Sequence, residues 1–599
     1  MFVDELKLQI KKALKALNLP QVDITLEHPA DEAHGDYATN VALKLHQQLH
    51  RHEARSMKHE KISQVAPYKT PREIAKAIAD YFEFRISDFG FLHKVEVAGP
   101  GFINFWISEH FLLDELKRIL DLGDKYGENA LGKGKKILLE FTDPNPFKEF
   151  HIGHLYSNIV GESLARLLEA TGATVKRANY QGDVGLHVAK AVWGMRKLMA
   201  DGKWQIEDIE QKSSGERAVF LGRSYTAGVT AYEEDEGAKK EIKELNSKIY
   251  AQDPEIQELY NKGREWSLEY FESIYKRLGT AFDFYYFERE AGKIGLELVK
   301  QHLKDGIFEE SQGAIVFPGE KHGLHTRVFI NSQGLPTYEA KDLGLALTKY
   351  QDFAFDESVI ITGNEVDEYF RVVLKALSLI NPALGQKTKH ISHGMVRLPG
   401  GKMSSRTGDV ITGEWLLDEA KGGVTEIIQK AGSLDKSIQD SVAETVGLGA
   451  VKYALLKSSI GRDIVFDFKE SVSFEGNSGP YLQYTYARAR SVLSQAKNPT
   501  FKVGSFKGIQ LNAEELSILR WLYRYPEAVD LAAQEFSPNV ICGYLFELAQ
   551  RFNAFYNKHR ILQAKEKGVR AFRMQLTTAV SQILSNGLFL LGIKAPRKM

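Results

Sequence analysis

The central part of the chain alternates short, continuous apolar runs with longer segments in which apolar residues recur every three or four positions. A short apolar run bounded by turn residues is typical of a buried strand, and the longer spacing is typical of an amphipathic helix. The predicted strands are 137–141, 173–180, 358–363 and 390–398, and the helices that separate them include 153–170 and 365–380. Strand, helix and strand in succession predict an α/β fold with a Rossmann-like parallel sheet.

The two ends of the chain have different patterns. An amphipathic helix opens the chain, and apolar residues alternate over 95–108 with a Gly-Pro-Gly turn, which together predict a small α/β domain. From about residue 440 almost every segment has helical spacing, including 479–496, 514–525 and 539–562. The predicted division is an N-terminal domain over 1–107, a linker over 108–136, the sheet domain over 137–415, a helical connecting region over 416–474 and an all-helical domain over 475–599.

A highly charged stretch interrupts the sheet domain at about 200–280. Its segments 233–236 (Glu-Glu-Asp-Glu) and 239–245 (Lys-Lys-Glu-Ile-Lys-Glu-Leu) combine many charges with helical spacing. We expect an exposed insertion made of solvated surface helices.

Composition restricts the class of protein without identifying it. The 599 residues are 43% hydrophobic, and 78 basic residues balance 78 acidic ones, which argues against a chain that coats nucleic acid or membrane by bulk charge. The one cysteine, Cys542, excludes an internal disulfide, a four-cysteine zinc site and a cysteine-ligated iron–sulfur cluster. No apolar run approaches the roughly 20 residues that cross a bilayer, and the N-terminal segment lacks a signal-peptide core. We therefore expect a cytoplasmic protein.

The charge is distributed unevenly along the chain. Residues 475–599 hold 17 basic and 8 acidic residues, a net charge of +9, whereas residues 1–107 are neutral. A basic excess on one helical domain is typical of a module that binds a polyanion. A solvated helical surface explains the same charge equally well.

The segment His-Ile-Gly-His at 151–154 lies where the first predicted strand passes into the following helix. The free N–H groups and positive dipole end of a helix start favour phosphate, and a glycine lets a nucleotide approach the backbone closely. Two imidazoles can also donate hydrogen bonds to phosphate oxygens. The alternatives are half of a zinc site, which here lacks nearby cysteines, and a purely structural pair.

A second segment, Gly-Gly-Lys-Met-Ser-Ser-Arg-Thr-Gly at 400–408, follows the last predicted strand. A basic, hydroxyl-bearing loop flanked by glycines has the composition of a clamp on a triphosphate. It is not a Walker loop, because the chain contains no G-x-x-x-x-G-K-[ST] sequence. Taken alone, it is also explained as a surface turn.

In this order on a parallel sheet, the two segments resemble the HIGH and KMSKS signatures of class I aminoacyl-tRNA synthetases. The resemblance implies an enzyme in which an amino-acid carboxylate attacks the α-phosphate of ATP, with Mg²⁺ bridging phosphates, and the adenylate is then transferred to a tRNA ribose hydroxyl. The protein itself mainly positions the reactants and stabilises phosphate charge. No zinc is implied.

The residues around the first signature resemble the arginyl-tRNA synthetases most closely. Residues 140–148 (Glu-Phe-Thr-Asp-Pro-Asn-Pro-Phe-Lys) are similar to that family's approach segment, and 338–342 to its Y-x-x-x-D element. The resemblance implies an L-arginine site formed by Glu140, Asn145 and His154 around the α-amino and carboxylate groups and by Glu288, Tyr338 and Asp342 around the guanidinium. A planar, permanently charged guanidinium suits fixed carboxylates and an adjacent phenol. An ordinary tyrosine–aspartate helix pair would have the same four-residue spacing as Tyr338 and Asp342.

The resemblance also assigns a nucleotide side. The implied ATP-binding residues are His151, Gly153, His154, Gly363, Asn364, Glu365, Gly394, Met395, Val396, Lys402, Met403 and Ser404, and the implied catalytic residues are Lys148, His151, His154, Lys402 and Arg406. The second signature departs from the family pattern, because Ser405 stands where a second lysine is usual. Many arginyl enzymes without that lysine carry one just before the first signature. Our hypothesis is that Lys148 supplies the missing charge to the triphosphate, helped by Lys402 and Arg406.

Resemblance extends to both ends of the chain. Segments 34–40 and 98–104 are similar to the extra domain of the arginyl enzymes, which contacts the tRNA elbow, and 479–493 and 552–562 are similar to their helical anticodon-binding domain. The implied tRNA-binding residues are Asn104, Phe105, Tyr484, Arg488 and Met599. Aromatic side chains on a basic helical surface can stack on anticodon bases, although each of these residues also suits a packing or surface role.

The interpretation favoured by the sequence is an arginine–tRNA ligase acting on ATP, L-arginine and arginine tRNA, without a membrane partner, as a monomer, and with activation that requires tRNA. A related nucleotidyltransferase would share both signatures but has little use for a guanidinium pocket. A non-catalytic RNA-binding paralogue would keep the basic terminal domain and lose the histidines or the clamp.

Overall fold

The computed structural model describes residues 2–56, 68–200, 204–399, 411–432, 434–496 and 508–599. The chain forms two compact units, each assembled from separate segments. The first unit comprises 1–123, 496–524 and 551–579, and the second comprises 124–495, 525–550 and 580–599.

A five-stranded parallel sheet forms the centre of the second unit. Its strands are β1 (Lys136–Phe141), β2 (Thr174–Gln181), β3 (Phe284–Phe287), β4 (Glu357–Gly363) and β5 (Thr388–His393), in the spatial order β5-β4-β1-β2-β3. The predicted parallel sheet is confirmed, and β3 is an additional strand. The strand predicted over 390–398 ends at His393 in this sheet, because Gly394 and Met395 donate their N–H groups to Ile460 and Asp463. Val396–Arg397 is a separate short strand that pairs with Ile464–Val465.

The chain reverses its direction of winding between β1 and β4. The strands β1, β2 and β3 follow one another to one side, and β4 returns to the other side of β1. In open parallel sheets the crevice at the carboxyl ends of such strands is the usual ligand site. Helix α1 (Ile152–Ala170) begins at this crevice and crosses β1 so closely that a Cβ added at Gly161 would lie 2.2 Å from the Phe141 ring.

The charged stretch between β2 and β3 forms helices with a core of their own. These are α2 (Leu186–Ala200), Ile206–Glu210, α3 (Ser214–Glu234), α4 (Glu236–Ala251) and α5 (Pro254–Leu278). Val188, Phe220, Ile242, Ile256 and Trp266 are buried together between them. The expectation of solvated surface helices is therefore wrong, because each helix has a buried apolar stripe beneath its charges.

An antiparallel sheet that the sequence does not predict precedes helix α6 (Tyr338–Asp352). It consists of Glu309–Ser311, Ala314–Phe317 and Arg327–Ile330. The remaining helices from residue 288 onward are Glu288–Leu303, Asp367–Ile380, Pro382–Lys387, Gly413–Ala431, Lys436–Leu456, Phe468–Ser471, Gly479–Ser494, Ala513–Leu522, Tyr525–Gln534, Asn539–Lys558 and Lys567–Leu590.

Residues near position 590 complete the core of the second unit. Ser163 on α1 donates a hydrogen bond to the Leu590 carbonyl, and the Gln483 amide donates to that of Lys594. The buried Lys452 ammonium donates to the carbonyls of Leu278 and Gly592, both at 2.6 Å, and so caps two helix ends that are distant in sequence.

The first unit contains a three-stranded antiparallel sheet, Tyr37–Thr39, Phe102–Ile107 and Leu92–Ala98 in spatial order. Its helices include Phe2–Ala16, Val41–Ser56, Pro71–Phe84 and Glu109–Leu122. The alternation predicted over 95–108 is confirmed as a hairpin. Phe105 is fully buried and Asn104 is 5% exposed, so neither side chain is at the surface where an RNA could reach it.

Candidate active site

A cavity of about 620 Å³ lies within the second unit, at the carboxyl ends of β1 and β4. It brings together residues that the sequence spreads over more than 250 positions. The predicted site residues in its lining are Glu140, Asn145, His151, Gly153, His154, Glu288, Tyr338, Asp342, Gly363, Glu365, Gly394, Met395 and Val396. Asn364 is outside the lining, Lys148 lies beside it, and Lys402, Met403, Ser404, Ser405 and Arg406 lie outside the described residues.

The two histidines at the start of α1 cap the helix through reciprocal hydrogen bonds between side chain and backbone. The His151 Nδ1 accepts hydrogen bonds from the backbone N–H groups of Gly153 (3.1 Å) and His154 (3.4 Å), and the His154 Nδ1 accepts one from the His151 N–H (3.3 Å). Their rings stack with centroids 3.5 Å apart. Because each Nδ1 is an acceptor, a neutral ring must carry its proton on Nε2.

Burial keeps both rings neutral. It lowers the pKa of His151 to about 4, helped by the positive charge of Lys148, and it lowers the pKa of His154 well below the ordinary value, helped by His151 and Lys148. Near pH 7 the pair therefore presents two Nε2–H donors without a net charge. Such donors can stabilise charge that develops on phosphate oxygens without titrating themselves.

The segment that follows the second signature contacts the residues of the first signature. Ile152 donates its N–H to the Ile411 carbonyl at 3.0 Å, and Gly413 donates to the Phe150 carbonyl at 2.7 Å. At the other end, Val396–Arg397 pairs with Ile464–Val465. Both segments that flank residues 400–410 are thus fixed beside the histidines.

The opposite end of the cavity is acidic and deeply buried. The Glu140 carboxylate pairs with the Lys349 ammonium at 2.7 Å, with side-chain exposures of 4% and 1%. The neighbouring Asp143 accepts a hydrogen bond from the Tyr180 N–H, and its pKa is raised well above the usual range by burial and by Glu140.

Glu288 belongs to a second buried ion pair, with Lys341 at 2.6 Å. A Cβ added at Gly182 would lie 2.2 Å from the Asn145 Oδ1 and 2.8 Å from the Glu288 Oε1. Residue 182 must therefore be glycine for these two oxygens to converge there.

Asp342 differs from the other carboxylates because its side-chain hydrogen-bond partner is a phenol. The Tyr369 hydroxyl donates to Asp342 Oδ2 at 2.6 Å. Burial, with the charges of Glu140 and Glu288, raises the pKa of Asp342 to about 8, against the lowering effect of the Tyr369 bond. The carboxyl group is thus poised to gain a cationic partner.

Sequence reasoning missed the internal partners of these carboxylates, Asp143, Tyr180, Lys341, Lys349 and Tyr369. Lys349 follows Asp342 by seven residues, two helical turns, so both lie on one face of α6. That spacing could have indicated from the sequence that Lys349 lies near Asp342. No sequence signal indicated the contact of Tyr369 with Asp342, because Tyr369 belongs to a different helix.

The described residues contain no group of three or more histidine, cysteine, aspartate or glutamate side chains placed to hold a metal ion. Nor does any helix in the described ranges combine the length and apolar character needed to span a bilayer.

Three family models match the chain: class I tRNA synthetases of the arginine type, catalytic domain, over residues 115–468, the arginyl tRNA synthetase N-terminal domain over 4–107, and the DALR anticodon binding domain over 482–599. Arginine–tRNA ligase of Clostridium perfringens is 32% identical over 89% of this chain and 91% of its own length. That of Porphyromonas gingivalis is 30% identical over 90% and 92%.

Solved structures share the fold. Arginyl-tRNA synthetase of Thermus thermophilus superposes with a TM-score of 0.77 at 24% identity, covering 100% of both chains. That of Plasmodium falciparum superposes with a TM-score of 0.77 at 18% identity, covering 100% of this chain and 99% of its own. With the sequence relatives, the family models and the acidic cavity beside the paired histidines, these findings show that the chain belongs to the arginyl-tRNA synthetases, class I enzymes that ligate arginine to its tRNA with ATP as a substrate.

Proposed function

We propose that the cavity binds arginine with its guanidinium at Glu288, Tyr338 and Asp342 and with its α-amino and carboxylate groups at Glu140 and Asn145, beside His154. The observation that carries this assignment is the state of Asp342. Glu140 and Glu288 are already paired with lysines, whereas Asp342 has a neutral phenol as its hydrogen-bond partner. A permanently charged, forked cation is the ligand that such a carboxylate binds best.

Amino-acid selectivity tests the assignment. Aminoacylation of arginine tRNA is measured with arginine, lysine and citrulline, using the wild-type protein and Asp342→Asn. Arginine should be charged by the wild type and poorly by the variant, because the amide cannot pair with the guanidinium. Charging of the neutral citrulline at a rate close to that of arginine would contradict a carboxylate pocket.

The pH dependence of arginine binding follows from the pKa of Asp342. In the free protein this pKa is about 8, so the carboxyl group is mostly protonated at pH 7 and must lose its proton to pair with the guanidinium. The affinity for arginine should therefore rise with pH, by about tenfold per unit below pH 8, and then level off. Calorimetry at pH 7 in buffers of different ionisation enthalpy should detect a proton released on binding. A flat affinity from pH 6.5 to 8.5 without proton release would be inconsistent with this titration.

We assign the nucleotide to the histidine end of the cavity. The Nε2–H groups of His151 and His154 would donate hydrogen bonds to the phosphates. Gly153, Gly363, Glu365 and the backbone of Gly394–Val396 would surround the adenosine. Asn364 lies between Gly363 and Glu365 and is proposed to contribute to the same ATP site. Lys402, Met403, Ser404 and Arg406, which lie outside the described residues, are proposed to bind the triphosphate. Mg²⁺ would bind the phosphates of ATP itself, since it keeps several of its waters and prefers substrate phosphates to all-protein cages.

The arginine carboxylate then attacks the α-phosphate, pyrophosphate leaves, and a tRNA ribose hydroxyl displaces AMP from the adenylate. The neutral histidines act by stabilising the phosphate charge in the transition state rather than by proton transfer, because their pKa values lie far below 7.

Lys148 is proposed to replace the second lysine of the clamp. In Lys148→Ala the KM for ATP in the activation step should rise about tenfold or more, because one charge-assisted contact with the triphosphate is lost. The KM for arginine should stay near the wild-type value. Steady-state kinetics at varied ATP measures the effect, and an unchanged dependence on ATP would refute the hypothesis.

Activation is proposed to require bound tRNA, as the resemblance implies. Residues 1–107 would contact the tRNA elbow and the helical domain would bind the anticodon, with Tyr484, Arg488 and Met599 as candidate contacts. Tyr484 is exposed, and the Arg488 guanidinium lies 4.8 Å from the centre of its ring. We further propose that the protein acts as a monomer in the cytoplasm.

Pyrophosphate exchange tests the requirement for tRNA. Exchange should be at least about tenfold faster with arginine tRNA than without tRNA or with lysine tRNA, if docking contributes the 1.4 kcal/mol or more that a tenfold rate change represents. Equal rates in the three conditions would show that the site is assembled without RNA.

A further inference from the structure

Two tyrosines of the helical insertion lie beside Lys148 and Lys341, which adjoin residues that line the cavity. The Lys148 ammonium lies 4.6 Å from the ring centre of Tyr225 on α3. The Lys341 ammonium lies 5.8 Å from that of Tyr250 on α4 and 4.9 Å from that of Tyr338. The insertion therefore contributes side chains to the surroundings of the active site.

Lys148 stands between Tyr225 and the histidines. Its charge lowers the pKa of His151, His154 and His187, and it also acts on the carboxylate of Glu288, so the ammonium lies near the histidines and near that carboxylate. Within the described ranges no carboxylate forms an ion pair with it, and its ammonium lies over the ring of Tyr225. The ammonium is thus held over a ring without a direct ion pair, so it can form one with an anionic ligand.

Close backbone contacts between α2 and α3 fix the helix segment that carries Tyr225. A Cβ added at Gly194 would lie 1.9 Å from the Ser224 carbonyl oxygen, and one added at Gly228 would lie 2.0 Å from that of Lys190. Helices α2 and α3 therefore touch backbone to backbone immediately before and after Tyr225. One turn earlier on α3, Gly222 faces the side chain of Glu149, the residue after Lys148.

A lysine has a flexible four-carbon stem, and fixing it in one position costs conformational entropy. A cation over an aromatic face is attracted to the ring, and more strongly so when both groups are desolvated. The contact with the ring can therefore offset part of this entropy cost before ATP binds. Its effect should be a higher kcat/KM for ATP, with no change in arginine binding.

We propose that Tyr225 is a positioning residue of the activation step, whose ring holds the Lys148 ammonium at the triphosphate end of the cavity. This inference rests on the proposed role of Lys148. It gives the insertion a function in the chemistry, because the ring that orients the cation belongs to α3 and not to the sheet domain.

The test compares Tyr225→Leu and Tyr225→Phe with a matched control, Tyr232→Leu. Tyr232 is on the same helix, and its ring lies 4.2 Å from the Lys190 ammonium. Activation is followed by tRNA-dependent pyrophosphate exchange at varied ATP and varied arginine, after thermal melting has confirmed that each variant is folded. Lys148→Met and the double variant with Tyr225→Leu complete a double-mutant cycle.

Tyr225→Leu should lower kcat/KM for ATP about fivefold, the effect of losing roughly 1 kcal/mol of cation–π interaction, with the KM for arginine unchanged. Tyr225→Phe and Tyr232→Leu should resemble the wild type. In the Lys148→Met background Tyr225→Leu should have no further effect.

Equal effects of Tyr225→Leu and Tyr232→Leu, or a loss from Tyr225→Leu that persists without Lys148, would overturn the inference. If Lys148→Met impairs the use of ATP and Tyr225→Leu does not, the inference fails while the proposed role of Lys148 stands. Wild-type ATP kinetics in Lys148→Met would instead remove that role and the inference with it.

Discussion

Replacing Gly182 by alanine is expected to abolish arginine binding in a protein that remains folded. The added Cβ would lie 2.2 Å from the Asn145 Oδ1 and 2.8 Å from the Glu288 Oε1, so both oxygens must move. Glu288 cannot move freely, because it is buried and paired with Lys341 at 2.6 Å. A displacement of about 1 Å in a substrate-binding group costs roughly 100-fold in rate, and here two such groups are displaced together.

The measurement is kcat/KM for arginine in aminoacylation, which should fall at least about 100-fold. Gly182 does not have a left-handed backbone conformation, so alanine introduces no backbone strain. The crowded side chains should lower the free energy of unfolding by about 1–3 kcal/mol, and circular dichroism should confirm that the variant is folded. Gly215→Ala is the matched control, because a Cβ at that position meets no atom within 4 Å. Retention of arginine affinity in Gly182→Ala would mean that Asn145 and Glu288 do not act together on the substrate.

Lys349→Met is expected to destabilise the second unit by about 3–5 kcal/mol and to inactivate it. Removing the lysine leaves the buried Glu140 carboxylate without its partner, close to Asp143 and Asp342, and an unpaired buried charge has a cost of this size. Chemical denaturation monitored by circular dichroism measures the loss.

A second substitution separates charge from packing. In Glu140→Gln/Lys349→Met the buried charge is gone, so most of the stability should return while activity stays absent, since Glu140 is proposed to bind the amino acid. Lys293→Met breaks a pair whose side chains are 63% and 65% exposed, and should cost at most about 1 kcal/mol. A Lys349→Met protein as stable as Lys293→Met would contradict the cost assigned to an unpaired carboxylate buried at Glu140.

The elements that could be predicted from the sequence are those with a long or regular pattern of apolar residues. The run 137–141 and the helix that follows it are unambiguous, because both the apolar pattern and the helix start are local properties of the chain. The antiparallel strands over 309–330 were missed because they are three or four residues long. Their first turn has Gln312 and Gly313 at positive φ, and glutamine there gives a weaker hairpin signal than the usual asparagine or aspartate.

The site shows a similar limit. Glu140, Asn145, Glu288 and Asp342 could be selected because the residues around them resemble a known family. Their internal partners could not be assigned, because Lys341 pairs with Glu288 across 53 positions and Lys349 with Glu140 across 209. The spacing of Asp342 and Lys349 indicates a shared helix face, but it does not indicate which carboxylate the lysine contacts. Charge compensation of this kind depends on which side chains the fold buries together, a property that no local window of sequence contains.

The contacts made by residues near position 590 bear on the order of events during synthesis. Helix α1 and Lys452 find partners at Leu590 and Gly592, which are made about 100 residues after residue 495. At the usual 5–20 residues per second, the nascent sheet and its helices wait about 5–20 s before these partners are synthesised. During that interval the binding surface for residues 580–599 is exposed, so the nascent second unit is expected to be a client of chaperones that cover apolar surface.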